Sequence, residues 1–219
     1  GPYGDERADA AKWAQLVNAF RDASRESGAG VPVLFGVDAV HGHSNLPQAT
    51  IFPHNIGLGA ARDVDLIQRI GKATAAEISG SGIEWTFAPT LAVPQDLRWG
   101  RTYEGYSSDP ALVASYVGRM VRGLQGPPST ARVLAGAHVI ASTKHFLADG
   151  ATEGGRDQGD AKIDETTLRA RLDWQATPRL ALGVSAGLLR ATVSGVQRDG
   201  LELPTRDAPH TRCSGGPAA

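Results

Sequence analysis

The sequence predicts an α/β protein built on a parallel sheet, and three observations carry that reading. Helical periods alternate with short strand-like runs along residues 7–143. The strand candidates are apolar throughout rather than alternating, as parallel strands covered by helices on both faces are. Each strand candidate is followed, at its carboxyl end, by a cluster of charged and polar residues.

The first helix is expected over 7–25, where Trp13, Leu16, Val17 and Phe20 fall on one face. PVLFGV (32–37) then reads as a buried strand bounded by Pro32 and a polar segment. Asp63 is placed as the N-cap of a second helix, VDLIQRIGKATAAEI, with Leu66, Ile67, Ile70 and Ile78 at helical spacing. EWTFAP (84–89) is the second strand candidate, stopped by proline. Asp109-Pro110 starts a third helix, since proline lacks only an N–H that the first turn leaves unbonded anyway. That helix closes at Gly126, and HVIAST (138–143) is the third strand candidate. Open doubly wound sheets and closed barrels both satisfy this order, and periodicity does not separate them. A full barrel of eight βα units takes roughly 250 residues, so 219 residues hold only part of one.

Near residue 167 the period changes from helical to two. LRARLDWQA and LALGVSAGL alternate large apolar with polar or small residues around Thr177-Pro178-Arg179, which predicts that 168–194 either pair as an antiparallel hairpin or are poorly ordered, and do not continue the βα units. From Arg198 onward Asp, Pro, Gly, Thr and Arg dominate, so a loop or frayed end is expected. The domain division is therefore 1–166 followed by an unrelated tail at 167–219.

Composition excludes several classes of function. With 22 basic and 23 acidic residues and a net charge of -1, nothing favours nucleic acid or an anionic membrane as partner. Cys213 is the single cysteine, so neither an internal disulfide nor a multi-cysteine metal cluster can form. No apolar stretch reaches the length of a spanning helix. The opening residues GPYGDERADAAKW lack a signal pattern and read as internal to a larger protein. Glycine patterns for phosphate or dinucleotide binding and a GxSxG nucleophile motif are absent, and no cofactor is expected.

Functional residues in a parallel α/β sheet lie on the loops after the strands. The first such loop has Asp38, His41 and His43; the second has Arg98, Arg101, Tyr103 and Glu104; the third has Lys144, His145, Asp149, Arg156, Asp157 and Asp160. Trp99 and Tyr103 add flat apolar surfaces. Charged groups that bond several hydroxyls, beside aromatic faces that cover C–H bonds, suit a polyhydroxylated ligand. Asp38, His41 and His43 are metal-ligand types, but such a site wants three or four ligands with a supporting shell, so binding or loop packing is the expected role. Glu104 is read as orienting the arginine loop, and Asp149 as fixing a turn beside Gly150.

Four stretches extend the reading. GVDAVHGHSN (36–45), IEWTFAPTLAVPQDLRWGRTYEGYSSDP (83–110), VIASTKHFLADG (139–150) and GGRDQGD (154–160) resemble, in order, the signature segments of family 3 glycoside hydrolases, β-glucosidases in particular. The resemblance covers residues 1 to about 166. It implies a partial (β/α)8 TIM-type barrel truncated at both ends, with the first strand missing upstream. It also implies that Asp38, Arg101, Lys144 and His145 bind sugar hydroxyls in the −1 subsite. The implied substrate is a β-glucoside or short β-glucan, cleaved from its end with retention by an aspartate nucleophile and a glutamate acid/base. Neither of those two residues is expected in this chain, which is then inactive alone. A non-catalytic carbohydrate-binding fragment and a non-functional gene fusion are the alternatives. The parent enzyme is expected to be periplasmic or secreted. The tail, RLDWQATPRLALGVSAGLLRATVSGVQRDGLELP, is similar to strands of TonB-dependent outer-membrane receptors, although no membrane partner is expected.

Overall fold

The computed structural model describes residues 8–127, 136–145 and 148–164. The hairpin expected at 168–194 and the receptor-like strands lie outside them. Within the described residues the chain runs as helix α1 (Ala10–Glu26), strand β1 (Gly36–Val37), helices α2 (Asn55–Ala61) and α3 (Val64–Gly80), strand β2 (Trp85–Thr86), helix α4 (Pro110–Gln125) and strand β3 (Ile140–Ala141). The strands form one parallel sheet in the order β1-β2-β3, with Val37 beside Thr86 and Thr86 beside Ala141.

Each expected helix is present, and the caps explain where it starts. Asp9 accepts from Lys12 N at 2.8 Å, Asp63 from Asp65 N and Leu66 N at 3.1 and 2.9 Å, and Asp109 from Ala111 N at 2.9 Å. Each carboxylate satisfies amides that the first helical turn leaves free. Trp13 and Val17 of α1 are buried, whereas Phe20 on the same stripe is 52% exposed and leans on Phe35 at 5.9 Å. Ile67, Ile70 and Ile78 of α3 and Val113, Tyr116, Val117, Met120 and Leu124 of α4 are buried, together with Ile83 and Val139 beside the strands.

Two glycines set the distance between α3 and α4. A Cβ on Gly123 would lie 2.4 Å from Gln68 O and 2.8 Å from Gly71 Cα, and one on Gly71 would lie 2.8 Å from Met120 O. The helices therefore touch backbone to backbone at this crossing.

The strands are shorter than their apolar runs. Val33 and Leu34 are 43% and 45% exposed, and the Val33 amide donates to Ser24 Oγ at 2.9 Å instead of entering the sheet. Beyond the paired residues the ladder continues toward the carboxyl ends: Phe87 N donates to Val37 O, Ser142 N to Thr86 O and Lys144 N to Pro89 O, each at 3.0 Å. The peptide bonds before Pro89 and between Lys144 and His145 are cis. Helix α2 is not anticipated by periodicity, since Gly57 and Gly59 make NIGLGAA look like a loop. Gly59 is required by contact: a Cβ there would lie 1.7 Å from Tyr106 O.

Candidate active site

The sheet delivers its three loops to one end. Asp38 follows β1 directly, and Thr90 bridges to Lys144 in parallel, one residue out of the β2–β3 register, so the segments after β2 and β3 stay side by side up to Lys144. Leu91 N then donates to Lys144 O at 2.5 Å, which fixes the backbone that bears Lys144 and His145.

Upon this frame the four residues singled out from sequence come together. Lys144 Nζ donates to Asp38 Oδ1 across 106 residues of chain. The Asp38 side chain remains 65% exposed, so its other lone pairs face solvent. Arg101 donates through Nε and Nη2 to the two oxygens of Glu104 at 2.7 and 2.8 Å, and its Nη2 also lies 3.0 Å from His145 Nε2. Hydrogen bonding to Glu104 pushes the guanidinium pKa up, burial pulls against it, and the charges of Glu104, Asp157 and Asp149 add to the rise. Asp38 supplies acceptors, Lys144 and Arg101 supply donors, and His145 supplies a ring nitrogen. A hydroxyl both donates and accepts, so such a mixed set matches a polyol.

The arginine loop is held from three sides. Residues Thr102–Glu104 form a 3₁₀ turn, and Thr102 Oγ1 donates to Trp99 O at 2.7 Å. Asn55 of α2, itself buried, donates through Nδ2 to Glu104 O at 2.7 Å. Trp99 donates through Nε1 to Asp157 Oδ1 at 3.0 Å. The sequence expectation of Trp99 as an open apolar surface is therefore corrected: the indole is 2% exposed and anchors the loop after β2 to the segment after β3. Tyr103 does remain open, at 43%. Arg98 points to solvent, held by Asp96, whose carboxyl is pulled down to about 2 by hydrogen bonds from Arg98.

His41 and His43 part company. His41 packs against His54 with ring centroids 4.2 Å apart, and His54 in turn meets Tyr103 edge-on at 4.6 Å. His43 is fully buried and bonds through Nε2 to Ser81 Oγ at 3.1 Å. Because Ser81 donates its own proton to Ile78 O at 2.6 Å, Nε2 of His43 is the donor and its Nδ1 is left without a partner. Burial pushes this imidazole's pKa down, opposed by the charge of Glu77. Among the described residues, no three His, Cys, Asp or Glu side chains gather as a metal site.

Sequence reasoning missed several of the partners that hold these residues. Asp149 has two contacts where one was expected: Gly150 N donates to its Oδ1 at 3.0 Å, and its Oδ2 lies 2.7 Å from His145 Nδ1. Asp157 and His54, which carried no assignment, are the anchor of Trp99 and the middle ring of the row from His41 to Tyr103. Long-range pairing of this kind leaves no local sequence signal.

Comparison with known proteins places most of the chain in one family. The sequence model described as "Glycosyl hydrolase family 3 N terminal domain" matches residues 3–173. The periplasmic beta-glucosidase of Salmonella typhimurium is 31% identical over 166 residues, which is 76% of this chain and 20% of that protein. In fold, the chain is similar to the crystal structure of an exo-1,3/1,4-beta-glucanase from a Pseudoalteromonas species, with a TM-score of 0.75 and 53% identity over 80% of this chain and 23% of the other. It is also similar to a mutant beta-glucosidase from Listeria innocua in complex with laminaribiose, with a TM-score of 0.66 and 27% identity over 76% and 22% of the two chains. The chain spans about a fifth of the length of the curated relatives it matches.

Proposed function

This chain belongs to glycosyl hydrolase family 3, and we propose that residues 1–166 hold the terminal sugar of a β-glucoside or short β-glucan through Asp38, Arg101, Lys144 and His145. The observation that carries this reading is the meeting of these four residues, from three separate loops, at the carboxyl ends of three parallel strands. The strands are read as an arc of a (β/α)8 barrel, and 167–219 as an unrelated tail. The parent activity is exo-acting hydrolysis with retention, in a periplasmic or secreted enzyme. The periplasmic beta-glucosidase of Salmonella typhimurium, 31% identical, supports both substrate class and location.

A second reading, that these 219 residues bind sugar without cleaving it, is favoured by one observation. Among the described residues, the carboxylates of the cluster are already engaged: Asp38 by Lys144, Glu104 by Arg101 and Asp149 by His145. Retention needs an attacking carboxylate about 5–5.5 Å from the acid/base, and an ion-paired carboxylate that also organises the pocket is poorly placed for that work.

Titration calorimetry of the purified chain with D-glucose and laminaribiose tests the binding reading. Saturable binding is expected, weakened at least about tenfold in both Asp38→Ala and Lys144→Ala. Equal affinity in wild type and both variants, or no binding to wild type while its fold is intact, would remove the reading.

A further inference from the structure

His145 is held between two groups that ask different things of its ring. On one side, Arg101 Nη2 lies 3.0 Å from Nε2. A guanidinium has five N–H donors and no lone pair to offer. The contact is favourable only if Nε2 is unprotonated and accepts. On the other side, Nδ1 lies 2.7 Å from Asp149 Oδ2, and both atoms are shut off from solvent and have no hydrogen-bond partner among the described residues. The ring N–H is not well aligned with that oxygen, so the contact is a close approach rather than a hydrogen bond. Even so, a nitrogen lone pair and a carboxylate oxygen repel at such a separation, so the proton belongs on Nδ1.

We infer that Asp149 is a positioning residue: it holds His145 as the neutral Nδ1–H tautomer, with the Nε2 lone pair presented to Arg101 and to the sugar hydroxyl that takes its place. Asp149 is itself well fixed. Its Oδ1 accepts the Gly150 amide, Gln95 N donates to Gly150 O at 2.7 Å, and a Cβ on Gly150 would lie 2.9 Å from the Val93 backbone. The segment that carries Asp149 is thus locked to the loop after β2, and that loop carries Arg101 five residues beyond the Asp96 turn. A carboxylate behind a histidine plays the same part in serine proteases, where exchanging it for the amide keeps the geometry and gives the wrong tautomer.

Only the consequence for sugar affinity rests on the reading of the site as a sugar subsite; the tautomer does not. The test is heteronuclear NMR of the whole chain labelled with ¹⁵N-histidine, His145 being assigned by its absence from His145→Gln. In wild type the Nδ1 shift is expected in the protonated range and Nε2 in the unprotonated range. Asp149→Asn keeps Oδ1 for the Gly150 amide and puts an NH₂ donor where Oδ2 was. It is expected to reverse the two shifts, bring an Nε2–H against the Arg101 donors and weaken D-glucose binding at least about tenfold, with the melting temperature changed by only a few degrees. Asp149→Ala is expected to give a mixture of both tautomers. An Nε2–H tautomer in wild type, or an unchanged tautomer in both variants, would overturn the inference. Wild type that shows the expected tautomer but takes up no glucose would sink the sugar-subsite reading and leave this one standing.

Discussion

Arg101 and His43 mark the two ends of what single residues disclose. The charge of Arg101, its place in WGRTYEGYS and its rank among the candidate binding residues are legible from sequence. Its bidentate bond to Glu104 is legible in part, because three residues separate them on one turn. Its contact with His145, 44 residues away, is not legible, since only the sheet brings the two loops together. For His43 the sequence points toward the polar rim, and the ring turns instead into the core against Ser81. That orientation has a consequence for stability. Burial lowers the pKa of His43 in the folded state from its ordinary 6.5, so the unfolded chain takes up a proton that the folded chain refuses. The contribution is intact above pH 6.5 and is lost as pH falls from there toward the folded-state value. Urea midpoints measured from about pH 7.5 down to about pH 5 should therefore fall more steeply for wild type than for His43→Leu, which places an apolar side chain of similar size in the same cavity. Parallel slopes would mean that one of the other five histidines governs the change.

At the scale of elements, period alone made α1 legible, while its cap Asp9 went unread; capping and period together made α3 and α4 legible, because Asp63 and Asp109 bond amides within three residues of themselves. The strands were legible in place but not in length. A run such as Pro32 to Val37 is apolar throughout, yet only pairing decides which part is strand, and Val33 bonds a helix side chain instead. Helix α2 was hidden because glycine disfavours helix by intrinsic propensity, roughly 1 kcal/mol relative to alanine, and only the approach of Tyr106 O explains Gly59. The same contrast within α4 gives a prediction. Gly123 faces the α3 backbone with no room for a methyl group, whereas a Cβ on Gly118 would meet only the tip of Arg122 at 3.9 Å. Gly123→Ala should destabilise the chain by roughly 1–3 kcal/mol through overpacking. Gly118→Ala should stabilise it by up to about 1 kcal/mol through helix propensity and reduced unfolded-state freedom. Chemical denaturation of both variants checks this, and equal effects would mean that α3 and α4 do not meet as closely as described.

At the scale of the whole molecule the question is whether binding groups alone amount to an enzyme. Ordinary α/β character was legible from the alternation of elements; barrel against open sheet was not, because both obey the same local rules. Asp38, Arg101, Lys144 and His145 are proposed to hold a sugar, but interactions equally strong in ground and transition state do not lower the barrier to bond cleavage. Covalent catalysis with retention asks for a carboxylate that attacks the anomeric carbon. Asp38, Glu104 and Asp149 are each held by a cation or by the histidine ring, and Asp157 accepts from Trp99. To attack, any of these would have to abandon a partner that shapes the pocket. In a protease, removal of the covalent nucleophile cost on the order of 10⁶ in turnover, and a deficit of that size would leave nothing above background. The chain of 219 residues should therefore hydrolyse a fluorogenic aryl β-glucoside no faster than its own Asp38→Ala variant, even where calorimetry shows that it binds glucose. Incubation with a 2-fluoro glucoside followed by mass spectrometry makes the comparison decisive. An intact unmodified mass is expected, and a covalent adduct on any carboxylate of the chain would reverse the conclusion and identify the attacking residue.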